Sequence, residues 1–263
     1  MNSMTEAEFQ VVKSIGFVLA LGLAVAIQHW RPHDPHQGSW RTNGGLWGLN
    51  AVILGLLCVG CACTVSRWAD TNDAGALHLT EAALWIAIPV SILGLDLVSY
   101  GWHRANHRVS LLWRFHQVHH SDPAFTTTTA LRFHPGELLL ALPLRLAAIV
   151  ALGVPIVGVI AFEVVFAFAN FFEHGNIGLP LGLERALGRT FILPALHRRH
   201  HSQEKPLLNS NYGTIFSFWD RFFGTYADAT SNDRVHIGLP GTRESLGPLG
   251  VLAMPARGVF RGK

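Results

Sequence analysis

Histidine residues in three short motifs are the part of this sequence whose type and spacing could do chemistry. One motif has two histidines four residues apart, and the other two share the spacing His-x-x-His-His: His103 and His107; His116, His119 and His120; His197, His200 and His201. On an α-helix, residues three and four apart lie on the same face. Each motif is therefore predicted to direct its imidazole nitrogens at a common point, as a metal site requires.

The number of these histidines indicates more than one metal ion. A structural zinc site takes about four ligands, whereas the motifs supply eight histidines. Imidazole suits zinc, copper, iron and nickel, so the ligand type leaves the metal open. A metal-sequestering loop would have tandem or irregular histidine runs, without helical spacing. We therefore favour two metal ions, each with a position open for a substrate or for oxygen.

The elements that must position the motifs are predicted to be membrane helices. Of the 263 residues 49% are hydrophobic and 14% charged, while soluble domains carry about 25% charged residues. Uncharged runs cover 15–27, 46–66 and 82–95, and the run 138–172 contains only Arg145 and Glu163 as charges. A helix needs about 20 apolar residues to cross a membrane, so the last run is long enough for two passes with a turn at 153–155. The sequence predicts an all-α integral membrane bundle with four to five membrane-embedded helices.

The two charges in the long apolar run are expected to neutralise each other. Arg145 lies nine residues before position 154 and Glu163 nine residues after it. Two antiparallel helices would place both side chains at the same depth, where a charge needs a partner. We therefore predict a structural ion pair between them.

Loop charges predict the orientation in the membrane. The loop 30–45 contains Arg31 and Arg41 against one acid, and four arginines follow the third span: Arg104, Arg108, Arg114 and Arg132. By the positive-inside rule, this loop and the chain from residue 103 onward face the cytoplasm. We expect a multi-pass protein with a cytosolic, histidine-rich helical cap, in the cytoplasmic membrane of a bacterium or the endoplasmic reticulum of a eukaryote.

The segments that flank the motifs are also distinctive. Asp96-Leu-Val-Ser-Tyr100 precedes the first motif, and Thr129-Ala-Leu-Arg132-Phe-His134-Pro follows the second. Asn211-Tyr-Gly and Trp219-Asp220-Arg-Phe-Phe-Gly224-Thr follow the third. With the order and spacing of the three motifs, residues 85–228 resemble the fatty acid hydroxylase/sterol desaturase superfamily of membrane di-iron oxygenases.

The resemblance implies a histidine-ligated centre of two iron ions. All eight motif histidines match ligand positions of the family residue by residue, and the family commonly adds a ligand before the third motif, for which His174 is the candidate. It implies an O2-dependent oxidoreductase that hydroxylates or desaturates a sterol, fatty acyl or related lipid. No haem or flavin domain is found in the sequence, so we expect a separate electron-transfer protein or reductase as electron donor.

The predicted organisation follows from this resemblance. Residues 1–80 form N-terminal membrane helices, residues 81–228 form the di-iron catalytic domain with a membrane hairpin at about 138–172, and residues 229–263 form a C-terminal tail.

Four further residues are candidates for holding the ligand histidines in place. Such histidines need an acceptor for the second ring proton, and Asp96, Asp220 and Glu173 lie near the motifs or His174. Asp220 could instead cap a helix or pair with Arg221. For His134 we expect a supporting role, with direct metal ligation and no role as the alternatives.

Two other functions are weighed against the oxygenase. A zinc-dependent membrane hydrolase would need a general base, yet the sequence has no His-Glu-x-x-His string. A non-enzymatic membrane metal-binding protein would carry its ligands along the spans, whereas these histidines are predicted at one membrane face. A nucleic-acid partner is not expected, because no clustered basic face with aromatic residues is found.

Overall fold

A computed structural model describes residues 4–35, 38–58, 60–228, 235–240 and 246–258. Within these ranges the protein is helical, with isolated β-bridges but no strand. Its α-helices are α1 (Glu6–Trp30), α2 (Trp40–Cys58), α3 (Cys61–Thr71), α4 (Ala76–Leu79), α5 (Leu84–Arg108), α6 (Ser110–His120), α7 (Pro135–Leu152), α8 (Ile156–Glu173), α9 (Leu181–Leu187), α10 (Pro194–His200), α11 (Lys205–Leu208), α12 (Phe218–Phe222), α13 (Pro248–Leu252) and α14 (Met254–Arg257). A short 3-10 helix spans Thr127–Leu131.

Five segments in the described part of the chain are long and apolar enough to cross a membrane: Glu6–Trp30, Trp40–Leu79, Leu84–Arg108, Pro135–Leu152 and Ile156–Glu173. Their outer faces carry many exposed large apolar side chains, as expected for surfaces in contact with lipid. The predicted fold class, an all-α membrane bundle with four to five embedded helices, is therefore confirmed.

The second apolar run differs from the prediction of one helix over 46–66. The run instead contains two helices, because α2 ends at Cys58 and α3 begins at Cys61. Between them Gly60 adopts φ +76°, a left-handed conformation that glycine tolerates. The Glu6 carboxylate lies against Gly60, and Arg67 donates a hydrogen bond to the main-chain oxygen of Met4. Polar groups of the N-terminal segment therefore meet the α2–α3 break, and α3 packs against α7 and α8.

Helices α5 and α8 organise the bundle. Helix α8 packs against α1 and α5, and α5 also packs against α6 and α7. The central apolar cluster joins residues from α1, α3, α5, α7 and α8, the α7–α8 turn and the segment between α11 and α12: Phe9, Cys63, Leu95, Ile149, Val154, Val159, Phe162 and Ile215. This core fixes the two helices whose ends carry histidines.

The turn between α7 and α8 forms where the sequence predicts it. Gly153 ends α7 at φ +67°, and Pro155 caps α8. Gly75 at φ +103° packs directly on this turn, because a Cβ at Gly75 would lie 2.5 Å from the Gly153 Cα. Only glycine allows this backbone approach.

The predicted ion pair between Arg145 and Glu163 is confirmed. The Arg145 Nη1 atom lies 3.2 Å from the Glu163 Oε1 atom, and both side chains are partly exposed. The guanidinium also lies 5.4 Å from the ring centroids of Phe162 and Phe166. In a membrane each charge therefore neutralises the other beside an aromatic surface.

This pair makes a testable prediction about stability. We expect Glu163→Leu to lower the thermal unfolding temperature in detergent more than the double variant Arg145→Leu/Glu163→Leu. The single change leaves an arginine without its partner in an apolar region, which costs on the order of 2–3 kcal/mol. Equal losses in the two variants would show that the ion pair has no role in stability.

The ends of the helices fall into two groups. Pro32 pairs with Ile177, so the segment after α1 lies beside the segment after α8. The histidine motifs are at this same end, on the last turns of α5, on α6 and on α10. The α2–α3 break and the α7–α8 turn share the other end, where Ser66 Oγ donates to the Val154 oxygen at 2.7 Å.

Candidate metal centre

The first histidine motif lies on a membrane-spanning helix and not after it. Helix α5 continues without a break from Leu84 to Arg108, so His103 and His107 occupy its last two turns. Val109 alone separates α5 from α6, which carries the second motif back across the end of the bundle. The third motif is on α10, with His201 as its C-cap residue, and His174 is the C-cap residue of α8.

The structure brings the nine predicted ligand histidines together in two groups. In each group, one ring nitrogen per residue lies within 4.8 Å of the others. The first cluster, as we call it, contains His103, His107, His116, His120 and His200. The second cluster contains His119, His174, His197 and His201.

The clusters do not follow the motifs, contrary to the expectation that each motif serves one common point. His119 and His120 are adjacent in sequence but belong to different clusters, and so are His200 and His201. Neighbouring residues on a helix point about 100° apart, so one helix can serve two metal positions. The clusters adjoin, since the His120 and His201 rings stack with centroids 4.2 Å apart.

Hydrogen bonds on the outer ring nitrogens fix several of these imidazoles. His103 Nδ1 donates to the Tyr212 oxygen at 2.8 Å, and His200 Nδ1 donates to the Ser210 oxygen at 2.7 Å. His174 Nδ1 donates to the Asn170 oxygen at 2.7 Å. A neutral imidazole has one donor and one acceptor nitrogen, so these bonds place a lone pair on each Nε2.

Burial keeps the histidines neutral. The pKa of His174 and of His200 falls from 6.5 to about 3, chiefly because burial disfavours the charged ring. Burial, followed by the charges of neighbouring histidines, also holds well below 6.5 the pKa values of His119, His120, His197 and His201. Metal binding needs the neutral imidazole, so all these groups are ready to ligate at neutral pH.

The nitrogens at the centre of the clusters lack ordinary partners and fit a metal. In the first cluster all five Nε2 atoms are buried without a hydrogen-bond partner. In the second cluster His174 Nε2 lies 3.0 Å from His119 Nε2 and 2.9 Å from His197 Nε2. With metal–nitrogen bonds near 2.1 Å, cis ligands at right angles would be separated by about 3 Å. Nine imidazoles gathered in two groups therefore suit two metal ions of the kind that imidazole binds.

Asp96 and Asp220 support the centre through the backbone. Asp96 accepts hydrogen bonds from the Ile215 and Phe216 amides and the Trp219 indole at 3.0–3.2 Å. Asp220 accepts from the Tyr212 and Gly213 amides and from the Thr225 hydroxyl at 2.7–2.9 Å. Burial raises the pKa of Asp220 to about 6. Both carboxylates thus hold the segment 210–225, whose carbonyl oxygens accept from His103 and His200, and neither accepts directly from a ring nitrogen of a clustered histidine.

Glu137 is a supporting residue that the sequence analysis did not select. Its Oε1 accepts from His116 Nδ1 at 2.8 Å and from Asn106 Nδ2 at 3.0 Å, and the residue is buried. A carboxylate that fixes the outer nitrogen of a ligand histidine raises the basicity of that ligand. In the sequence, Glu137 could have been recognised as an acidic residue in the first turn of an apolar helix, because a buried carboxylate needs a hydrogen-bonding partner.

Arg132, which contributes to the predicted membrane orientation, also has a structural role near the clusters. It is fully buried and donates to the Val118 oxygen, to Ser121 Oγ and to Asn43 Oδ1. These bonds fix the end of α6, which carries His119 and His120.

His134 lies outside both clusters. Its Nδ1 accepts from the Gly136 amide at 2.9 Å and thereby caps the start of α7, and its ring packs on Phe115. Glu173 lies beside the second cluster, with Oε1 3.8 Å from His197 Nε2 and 3.7 Å from His174 Nδ1. Because His174 Nδ1 bonds to the Asn170 oxygen, Glu173 does not fix that ring.

This fold and site define a class of membrane protein in which buried histidines gather at one end of a helical bundle. A family model described as fatty acid hydroxylase matches residues 88–225, and the chain belongs to this family. The match contains all three histidine motifs and the segment 210–225.

Several curated proteins are similar to this chain. It is 32% identical over 167 residues to an ornithine lipid hydroxylase of Rhizobium tropici, covering 62% of this chain and 49% of that protein. It is 30% identical over 162 residues to the alkylglycerol monooxygenase of Homo sapiens, covering 61% and 35%. It is 25% identical over 178 residues to the cholesterol 25-hydroxylase of Rattus norvegicus, covering 66% and 58%.

The chain therefore spans about half or less of the length of the first two relatives, and 58% of the length of the third. No solved structure matches the chain at a significant level.

Proposed function

We propose that the protein is a membrane-bound, O2-dependent lipid hydroxylase whose two clusters each hold one iron ion. The observation that carries this proposal is the set of nine imidazoles in two adjoining groups, seven of them buried and two half-buried. Membership of the fatty acid hydroxylase family supports iron over zinc or copper. When bound, the two iron ions would supply the activation of dioxygen and the oxidation of an unactivated C–H bond.

The chain's own residues would bind and orient the reactants. The first cluster's Nε2 atoms and the second cluster's ring nitrogens would hold the ions, while Tyr212, Ser210, Asn170 and Glu137 fix the outer nitrogens. Burial excludes bulk water from the clusters, which strengthens electrostatic interactions and protects reactive species. The histidines lie at the ends of the spanning helices α5 and α8, where a lipid carbon could be positioned against the centre.

The reaction that fits is hydroxylation of a lipid. The substrate C–H, dioxygen, two electrons and two protons would yield an alcohol and water. The relatives named above are hydroxylases or monooxygenases of an ornithine lipid, an alkylglycerol and cholesterol, so hydroxylation is favoured over desaturation. We further propose a separate reductase as electron donor, and a cytoplasmic location for the clusters because arginines concentrate at this end.

The experiment combines metal analysis with lipid analysis of cells that express the full chain. Protein purified without chelator is expected to contain about two iron ions, one for each cluster. Cells grown with isotopically labelled dioxygen should contain one lipid class that gains a single labelled oxygen atom.

Other outcomes identify the rival functions. Zinc retained with full activity under nitrogen would indicate a zinc-dependent hydrolase and reject the oxygenase. Bound metal without any altered lipid in cells supplied with oxygen would indicate a non-enzymatic metal-binding protein. Loss of two hydrogens in place of oxygen gain would replace hydroxylation by desaturation.

A further inference from the structure

Glu173 is a buried carboxylate without the partners that such a group normally has. It is the last residue of α8 and only 1% exposed, and its Oε2 atom has no hydrogen-bond partner. Among the described residues it forms no ion pair with arginine or lysine, and its near contacts are with ring nitrogens of His174 and His197. An ionised carboxylate in such a place is strongly unfavourable unless a cation or hydrogen-bond donors compensate it.

Three other buried carboxylates at this end of the bundle each have hydrogen-bond donors on at least one oxygen, although Glu137 Oε2 has none. Asp96 and Asp220 each accept three hydrogen bonds, and Glu137 accepts from His116 and Asn106. Glu137 bonds to the outer nitrogen of a ring whose Nε2 belongs to the first cluster. Glu173 instead approaches a nitrogen at the centre of the second cluster, since its Oε1 lies 3.8 Å from His197 Nε2. The same His197 Nε2 lies 2.9 Å from His174 Nε2.

The second cluster is also one imidazole short of the first. The first cluster offers five ring nitrogens and the second offers four. The Glu173 carboxylate lies 3.8 Å from one of these four nitrogens, His197 Nε2, and as a ligand it would supply a fifth donor and bring a negative charge to a divalent cation. The ion would in turn supply the positive charge that Glu173 lacks.

We propose that Glu173 is a carboxylate ligand of the metal ion held by the second cluster. The two metal positions then differ, with five imidazoles at one and four imidazoles plus one carboxylate at the other. This inference rests on the proposed two-metal centre and adds to it a ligand that the histidine motifs do not contain.

The test titrates metal-free full-length protein in detergent with Zn²⁺ alone and compares it with the variants Glu173→Gln and Glu173→Asp. Wild type should bind about two ions, one for each cluster. Glu173→Gln should bind one ion normally and the other at least about 10-fold more weakly. Glu173→Asp, which keeps the carboxylate on a shorter side chain, should fall between the two.

Infrared difference spectra between metal-free and Zn²⁺-loaded protein show ligation directly. On Zn²⁺ loading, the carboxylate stretching bands of wild type should shift. This shift should be absent from the spectrum of Glu173→Gln. The matched control is Glu184→Gln, which removes a buried carboxylate on α9 that belongs to neither cluster. This control should bind Zn²⁺ and change its spectrum as wild type does.

The stability of the metal-free variant separates ligation from a structural role. Glu173→Gln should melt at the same temperature as wild type or higher, because it replaces a buried carboxyl group that lacks hydrogen-bond donors by a neutral amide of the same shape. A metal-free variant that melts lower or fails to fold would show that Glu173 is structural and overturn the proposal. Equal Zn²⁺ affinities with unchanged carboxylate bands would also overturn it. Failure of wild type to bind two ions would instead reject the two-metal centre.

Discussion

His200→Ala should reduce the O2-dependent lipid product by more than about 100-fold, beyond the loss typical for a residue that only supports a ligand. His200 is fully buried in the first cluster, with Nδ1 bonded to the Ser210 oxygen and Nε2 without a partner. Its ring centroid lies 4.5 Å from that of His103 and 4.6 Å from that of His107. Removing it takes one donor from one metal position, so the bound iron should fall from about two ions toward one.

A companion variant distinguishes the two positions. His201→Ala removes the adjacent residue in sequence but takes a donor from the second cluster. We expect both single variants to retain about one ion and the double variant to retain almost none, since the two losses affect separate positions. His29→Ala, which removes an exposed histidine outside both clusters, is the control and should behave as wild type. Full metal content and product in His200→Ala would contradict the proposed centre.

Asp96→Ala should lower the free energy of unfolding by about 3 kcal/mol or more, because three buried hydrogen-bond donors lose their acceptor. Each buried donor without an acceptor costs about 1–3 kcal/mol. These donors are the Ile215 and Phe216 amides and the Trp219 indole. The segment that they belong to also presents the Tyr212 oxygen to His103. Thermal unfolding in detergent should show the loss, and the iron content should fall with it.

Asp96→Asn is the matched variant for this prediction. It keeps the size of the side chain and one acceptor oxygen, so it should recover much of the stability lost in Asp96→Ala. An alanine variant as stable as wild type and with full iron content would show that the segment 210–225 is held by its other contacts, including those of Asp220.

Much of the fold and of the site could be predicted from local patterns. The uncharged runs place the spanning helices because about 20 apolar residues are needed to cross a membrane, and five candidate spans are present. The histidine spacing identifies the clustered residues because positions three and four apart share a helix face. The ion pair of Arg145 and Glu163 follows from symmetry about the turn at 153–155. The break at Gly60 escaped prediction because its surroundings are apolar and uncharged.

Which imidazole joins which cluster could not be deduced in this way. From the sequence alone, the eight motif histidines are predicted on helices, with His174 at the end of another helix and all nine at one end of the bundle. Only the packing of α5, α6, α8 and α10 assigned His119 and His120, or His200 and His201, to different clusters. The same packing brought the Glu137 carboxylate, which the sequence did not single out, into a hydrogen bond with His116, and placed Glu173, the neighbour of His174 in the chain, 3.8 Å from His197. Spacing along a helix fixes the direction of a side chain relative to its own axis, whereas a metal position lies where several axes meet.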